Sequence, residues 1–78
     1  MSIPKIQAVS PLEGKRLLVK FTNGMEKTYD CHQLLHLAAF QALQEEAFFK
    51  MVKVDAGGFG ISWNDDVDLG EYELWVNS

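Results

Sequence analysis

The chain has 78 residues, a formal net charge of −4 at pH 7 and 47% hydrophobic residues. This length allows a single domain, residues 1–78, and the composition is too apolar for a disordered tail. Direct nucleic-acid binding is not expected, because phosphate backbones attract clustered Lys and Arg rather than an acidic chain. Cys31 is the only cysteine, so no intrachain disulfide can form.

The N-terminal residues 1–9 have neither the basic region nor the continuous apolar region of a signal peptide. No apolar run approaches the roughly 20 residues that a membrane-spanning helix needs. We therefore expect a cytoplasmic protein with no membrane partner.

The first half of the chain predicts three strands. Residues 6–9 form the first, and residues 11–14, Pro-Leu-Glu-Gly, form a turn after it. Residues 16–21 alternate apolar and polar side chains, as a half-buried strand does, and residues 25–30 form the third strand.

The loop at residues 22–24 determines how the second and third strands pair. A two-residue turn would place Lys20 opposite Lys27, and like charges facing each other destabilise a strand pair. A three-residue loop that ends with Gly24 in the left-handed conformation pairs Lys20 with Glu26 instead. The sequence therefore predicts the three-residue loop.

Residues 34–51 contain the helical material. Leu34 and Phe49 lie off the main apolar stripe, which indicates a break in the helix. We expect a short helical turn near residues 31–37 and a main helix from about Ala39 to Lys50. The stripe predicts packing into the core, and a groove for a partner is the alternative. Its members are Leu37, Phe40, Leu43, Ala47, Phe48 and Met51.

The last part of the chain predicts two more strands, residues 52–55 and 60–63, joined by a glycine-rich turn at 56–59. Residues 72–76 form either a final helical turn or a short edge strand. The predicted fold is α+β, with the order β-β-β-α-β-β, in which a small antiparallel or mixed sheet carries helical elements on one face.

The residues best suited by type to catalysis or metal binding are Cys31, His32 and His36. His32 and His36 are four residues apart, a spacing that two metal ligands on one helix face can use. However, no third ligand follows at a predictable distance, and Cys31 and His32 are adjacent and therefore face different directions. We predict no catalytic residue, no metal, no cofactor and no enzymatic activity, with the histidines facing solvent or capping a helix.

Residues 64–68, Asn-Asp-Asp-Val-Asp, alternate oxygen-bearing side chains like the first half of a calcium-binding loop. The glycine comes one place late, at Gly70, and Trp75 stands where that loop needs a bidentate Glu. The segment instead predicts a turn at residues 64–66, with Asp68 as the cap of the following segment.

The aromatic residues near the C-terminus suggest different roles. Trp63 lies in the middle of a strand pattern and is expected in the core. Tyr72 and Trp75 lie in an acidic terminal segment and are the candidates for contact with a protein partner.

A series of short motifs occurs in a fixed order along the chain. They are Pro4-x-Ile6, Leu17-x-Val19-x-Phe21-x-Asn23-Gly24, Tyr29-Asp30, Leu34-Leu35, Phe40-x-x-Leu43, Phe49-x-x-Val52-x-Val54-Asp55, Ile61-x-Trp63, Asp68-Leu69 and Leu74-Trp75. Their order and spacing resemble the bacterial domain-of-unknown-function family 2442 (DUF2442) over essentially the whole chain.

The resemblance implies a compact α+β fold and a small bacterial protein, free-standing or fused to a helix-turn-helix. It also implies that many members are encoded beside another small domain in a toxin–antitoxin-like arrangement. No catalytic residue comes with the family. This chain departs from the family pattern between Leu35 and Phe40, where a proline or glycine usually stands, and at Asp66, which is commonly glycine. We therefore expect no helix-turn-helix after Ser78 and no regulatory role of that kind for this chain alone.

Two functions remain open at this stage. The first is a non-enzymatic protein-interaction module, either a homo-oligomer or the acidic, antitoxin-like partner of a neighbouring small protein. The second is a small-ligand-binding or sensor domain with its site between helix and sheet near Trp63.

Overall fold

The computed structural model describes residues 3–78 and contains two three-stranded antiparallel sheets. The first sheet has the strand order β1-β2-β3, and the second has the order β4-β5-β6. The strands are β1 (Ile6–Leu12), β2 (Arg16–Phe21), β3 (Glu26–Asp30), β4 (Lys53–Val54), β5 (Gly60–Ser62) and β6 (Asp68–Gly70). The predicted α+β class is confirmed, with two sheets where one was expected.

The β2–β3 hairpin has the predicted register. Lys20 pairs with Glu26, and the Phe21 amide donates a 2.8 Å hydrogen bond to the Met25 carbonyl. Gly24 has a φ of 88°, which is the left-handed conformation that a three-residue loop requires at this position. Glycine adopts it easily because it has no side chain. β1 is longer than predicted, because Pro11 continues the pairing with β2 opposite Leu17. A proline can do so on an edge strand.

The predicted main helix from about Ala39 to Lys50 is wrong. A 3₁₀ helix (Ala38–Gln44) is followed by a four-residue α-helix, α1 (Glu46–Phe49), and Glu45 between them is extended with φ −77° and ψ 118°. A separate 3₁₀ helix, Cys31–Leu34, precedes both.

The core explains the break at Glu45. Leu43 and Phe49 are both fully buried, yet six residues apart on one α-helix they would point about 120° from each other. The extended residue reorients α1 so that both side chains reach the core. Met51, on the predicted apolar stripe, is instead exposed.

The C-terminal part contains a strand that was not predicted. β6 pairs with β5, with Leu69 opposite Ile61. Asp68 therefore belongs to a strand, and its predicted role as a cap is wrong. The final segment forms a helix, α2 (Glu71–Val76), whose N-cap is Gly70, without a side-chain hydrogen bond.

Both sheets share one hydrophobic core, and Trp63 lies in it as predicted, with 3% of its surface exposed. Its indole N–H donates to the Phe49 carbonyl at 2.9 Å, and the two rings stack with centroids 6.2 Å apart. The core consists of Ile6, Leu17, Val19, Phe21, Tyr29, Cys31, Leu34, Leu43, Phe49, Ile61, Trp63, Val67, Leu69 and Leu74.

Candidate interaction surface

Trp75 attaches the last helix to the first sheet. Its ring meets Phe21 edge to face, with centroids 5.0 Å apart. The Lys27 ammonium lies 4.0 Å from the centre of the same ring and donates to the Trp75 carbonyl at 2.7 Å. Trp75 is therefore half-buried, and α2 is held against β2 and β3 by packing, a cation–π contact and a charge-assisted hydrogen bond.

Glu73 is the second attachment of α2. The Tyr29 hydroxyl donates to its Oε2 at 2.7 Å, and the Asn77 side-chain amide donates to its Oε1 at 2.9 Å. Burial, together with Glu73, raises the pKa of the Tyr29 hydroxyl. Tyr29 therefore stays protonated and remains a donor to this carboxylate.

Glu71 connects the start of α2 to Lys5, the residue that precedes β1. Lys5 and Glu71 form an ion pair at 2.8 Å, and the Lys5 ammonium also lies 4.3 Å from the centre of the Phe59 ring. The Glu71 amide donates to the Phe59 carbonyl at 3.1 Å. Phe59, in the β4–β5 turn, thus lies directly beside the first turn of α2.

Three large apolar side chains on α2 and in the β4–β5 turn are exposed to solvent. Phe59 is 60% exposed, Tyr72 63% and Val76 47%. Tyr72 and Val76 are four residues apart and share the outer face of α2. The Phe59 ring lies against Gly57 and beside the Lys5 ammonium, near the first residue of the helix. We call Tyr72 and Val76 the α2 strip. Single exposed apolar residues are common, whereas neighbouring ones on a small protein indicate a contact surface.

The structure does not join Cys31, His32 and His36 into a site. Cys31 is fully buried, and burial raises the pKa of its thiol to about 12, so it does not form a reactive thiolate at neutral pH. The His32 ring lies 2.7 Å from the Asp30 carboxylate. Backbone and ring contacts with His32 lower the pKa of Asp30, which caps the first 3₁₀ helix. That helix ends at Leu34, so His36 does not share a helix face with His32.

Residues 64–66 form the predicted turn. The Asn64 side-chain oxygen accepts hydrogen bonds from the amides of Asp66 and Val67, both at 2.9 Å. Within residues 3–78, no group of three or more His, Cys, Asp or Glu side chains is placed to hold a metal ion.

A cavity of about 470 Å³ lies between the end of β1 and α1. At its edge the Lys15 ammonium pairs with Glu46 at 3.1 Å and lies 5.4 Å from the centre of the Phe49 ring. Phe49 separates this cavity from Trp63, the residue beside which a ligand site was predicted. The cavity is lined by Pro11, Leu12, Glu13, Glu46, Phe49 and Lys50.

The profile of the family described as "Protein of unknown function (DUF2442)" matches residues 6–78, nearly the whole chain. The chain belongs to the DUF2442 family. Searches of curated proteins and of solved structures gave no match. In the part of this DUF2442 protein that the structure describes, no helix is long and apolar enough to cross a membrane.

In this DUF2442 protein, Tyr72 and Trp75 were selected from the sequence as candidates for partner contact, whereas the exposed Val76 and Phe59 were not. Tyr72 and Trp75 remain predictions as partner contacts; the Tyr72 side chain is exposed, and the half-buried Trp75 ring packs edge to face against Phe21. Phe59 was not selected. The signal available was its position in a Gly-Gly-Phe-Gly turn, because a large apolar residue in a turn between strands has little chance of burial.

Proposed function

We propose that this DUF2442 protein is a non-enzymatic protein-interaction module that binds another polypeptide through the α2 strip. The observation that carries this proposal is the exposed Tyr72 ring on a helix that Trp75 and Glu73 hold against the first sheet. Tyrosine supplies a large contact area with little loss of side-chain freedom, and it is enriched among the residues that dominate binding energy.

The finer proposal is an acidic, antitoxin-like partner for a basic small protein encoded beside it. The net charge of −4 supports it, as do the exposed carboxylates Asp65, Asp66 and Asp68 at and beside the β5–β6 turn. None of these three forms an ion pair within residues 3–78. Complementary charge accelerates association and selects the partner, while an apolar contact such as Tyr72 slows dissociation.

The test measures binding of the purified product of the adjacent reading frame to this protein by calorimetry. We expect Tyr72→Ser to raise the Kd at least about tenfold. Met51→Ser is the matched control, because Met51 is also 63% exposed but lies after α1, and it should leave the Kd unchanged. Added salt should weaken binding chiefly through the association rate. The proposal is wrong if the adjacent product does not bind and the protein does not self-associate.

A small-ligand-binding function is the second candidate, and the cavity beside Phe49 favours it. Its volume of about 470 Å³ falls in the range of roughly 300–1,000 Å³ typical of ligand sites. Trp63 itself is enclosed and its N–H is already bonded, so a ligand would contact Phe49, Glu13 and Lys50 instead. An amide-proton NMR titration with a fragment library tests this: shifts clustered at residues 46–50 support it, and shifts scattered over the surface dismiss it.

A further inference from the structure

We propose that the free edge of β3 binds an extended, basic segment of another polypeptide, which adds to the first sheet as a fourth strand. The added strand places one Lys or Arg opposite Glu26 and another opposite Asp30. This surface is separate from the α2 strip, so the inference goes beyond the proposed function and is tested independently of it.

Hydrogen bonds at both ends of the β2–β3 hairpin show which backbone groups of β3 face outward. The Phe21 amide donates to the Met25 carbonyl, and the Cys31 amide donates to the Lys15 carbonyl. Bonded pairs alternate along an antiparallel ladder. The odd-numbered residues of β3 therefore bond to β2, and the even-numbered residues direct their N–H and C=O groups away from the sheet. The outward residues are Glu26, Thr28 and Asp30.

This edge of the sheet is uncovered. β3 is the last strand of its sheet, and all three outward residues are exposed. Within residues 3–78, the outward groups of Glu26 and Thr28 bond to no other backbone group, whereas the Asp30 carbonyl accepts a 3.1 Å bond from the Gln33 side chain. Unpaired strand groups of this kind are a template for an additional strand.

The opposite edge of the same sheet is closed. Pro11 lies opposite Leu17, whose own backbone groups face β3, so Pro11 faces outward and has no N–H to offer. β1 also has an irregular register between Ile6 and Ala8. Prolines and bulges are devices that prevent strand addition. β3 has neither, and its register with β2 is continuous.

The charges on the exposed face of the hairpin select a basic strand. Glu26 and Asp30 share this face, because side chains alternate along a strand. Lys20 and Arg16 lie opposite them on β2, but neither pair forms an ion pair within residues 3–78. His32 occupies only Oδ1 of Asp30. A Lys or Arg opposite each carboxylate on the free side is a favourable cross-strand pair.

The same charges argue against a second copy of this chain. A two-fold pairing of β3 with itself that uses all three outward residues is centred on Thr28. It places Glu26 opposite Asp30 of the copy, and like charges directly opposite each other destabilise a strand pair. A basic strand replaces both repulsions by attractions, and the net charge of −4 also attracts it over a longer distance.

An NMR titration of the isotope-labelled full chain with the capped peptide Lys-Val-Thr-Val-Lys tests the proposal. We expect a Kd in the millimolar range, with the largest amide shifts at residues 26–30. The peptide Glu-Val-Thr-Val-Glu should bind at least about tenfold more weakly. Added salt should weaken binding of the basic peptide.

Two methylated forms of the basic peptide provide a matched pair that leaves the protein unchanged. N-methylation of the central Thr removes an N–H that faces β3, whereas N-methylation of the Val before it removes one that faces solvent. The first change should abolish binding, and the second should preserve it.

Variants of the protein test the same bond from the other side. Thr28→Pro removes the central outward N–H without breaking a bond to β2 and should abolish peptide binding. Thr28→Val keeps that N–H and should bind as wild type does. Tyr72→Ser should also bind the peptide normally, because Tyr72 lies outside β3. All three should keep the far-UV circular dichroism spectrum of the wild type.

The possible failures are distinguishable. Equal binding of the Lys and Glu peptides, equal binding of the two methylated peptides, or a titration without shifts at residues 26–30 overturns the β3 edge as a binding site. None of these results affects the α2 strip. If the peptide binds as expected and Tyr72→Ser does not weaken binding of the adjacent-frame product, the β3 edge stands and the α2 strip falls.

Discussion

Gly58 shows how a single residue joins the two sheets. It is buried in the β4–β5 turn with a φ of 74°. A Cβ at this position would lie 2.6 Å from the Ile6 carbonyl oxygen and 3.0 Å from the Lys5 Cβ. The second sheet therefore approaches the beginning of β1 more closely than any side chain at residue 58 allows.

We expect Gly58→Ala to destabilise the protein more than Gly24→Ala does. Both glycines have positive φ, so each substitution costs about 1–2 kcal/mol for the left-handed conformation. A Cβ at Gly24 has no heavy atom within 4 Å, whereas Gly58→Ala adds an overpacking cost of about 1–3 kcal/mol. Urea denaturation of the two variants measures the difference, and equal losses would show that the β1–β4 junction relaxes freely.

At the scale of elements, the region between the two sheets is built from three short helical segments, where a short turn and one main helix were predicted. Leu34 and Phe49 were identified as off the apolar stripe, and both are buried, while Leu37 and Met51 on the stripe are exposed. Helical periodicity located a break between the first turn and the next segment correctly. The same periodicity did not predict the second break, at Glu45, which orients α1 toward Trp63.

The two arrangements predict opposite outcomes for a pair of substitutions. With the break at Glu45, Phe49→Ala removes a fully buried ring and should cost about 3–5 kcal/mol. Met51→Ala changes a residue that is 63% exposed and should stay within about 0.5 kcal/mol of wild type. Thermal or urea unfolding at low protein concentration measures both. A continuous helix with its stripe in the core would make Met51→Ala the more damaging change.

At the scale of the whole molecule, the two sheets are covered by one continuous core. Phe21 and Tyr29 from the first sheet and Ile61 and Leu69 from the second belong to the same cluster of buried residues. A domain of this size buries too little apolar surface to keep one sheet folded without the other, because a sheet of two or three strands needs a packed face.

We therefore expect the chain to unfold in one cooperative transition. Three probes report on different parts: tryptophan fluorescence on Trp63 and Trp75, far-UV circular dichroism on the backbone, and reaction of the Cys31 thiol with a disulfide reagent. Cys31 should be unreactive in the native state because it is fully buried and its pKa is raised to about 12. Coincident midpoints in urea are the expected result. A fluorescence transition that precedes thiol exposure would indicate two units that unfold separately.

Sequence patterns were enough to predict the α+β class, the β2–β3 register with its Gly24 loop, and the burial of Trp63. These features rest on alternation, turn chemistry and charge pairing between residues close in the chain. The break at Glu45, the strand β6, the tight approach at Gly58 and the exposed α2 strip emerged only in the tertiary structure. The break at Glu45 depends on a core shared by both sheets, Gly58 on its close approach to Ile6, and the exposure of Tyr72 on contacts that hold α2 against strands more than forty residues earlier. β6 pairs with the neighbouring β5, but its three residues are too few for an alternating pattern to predict a strand.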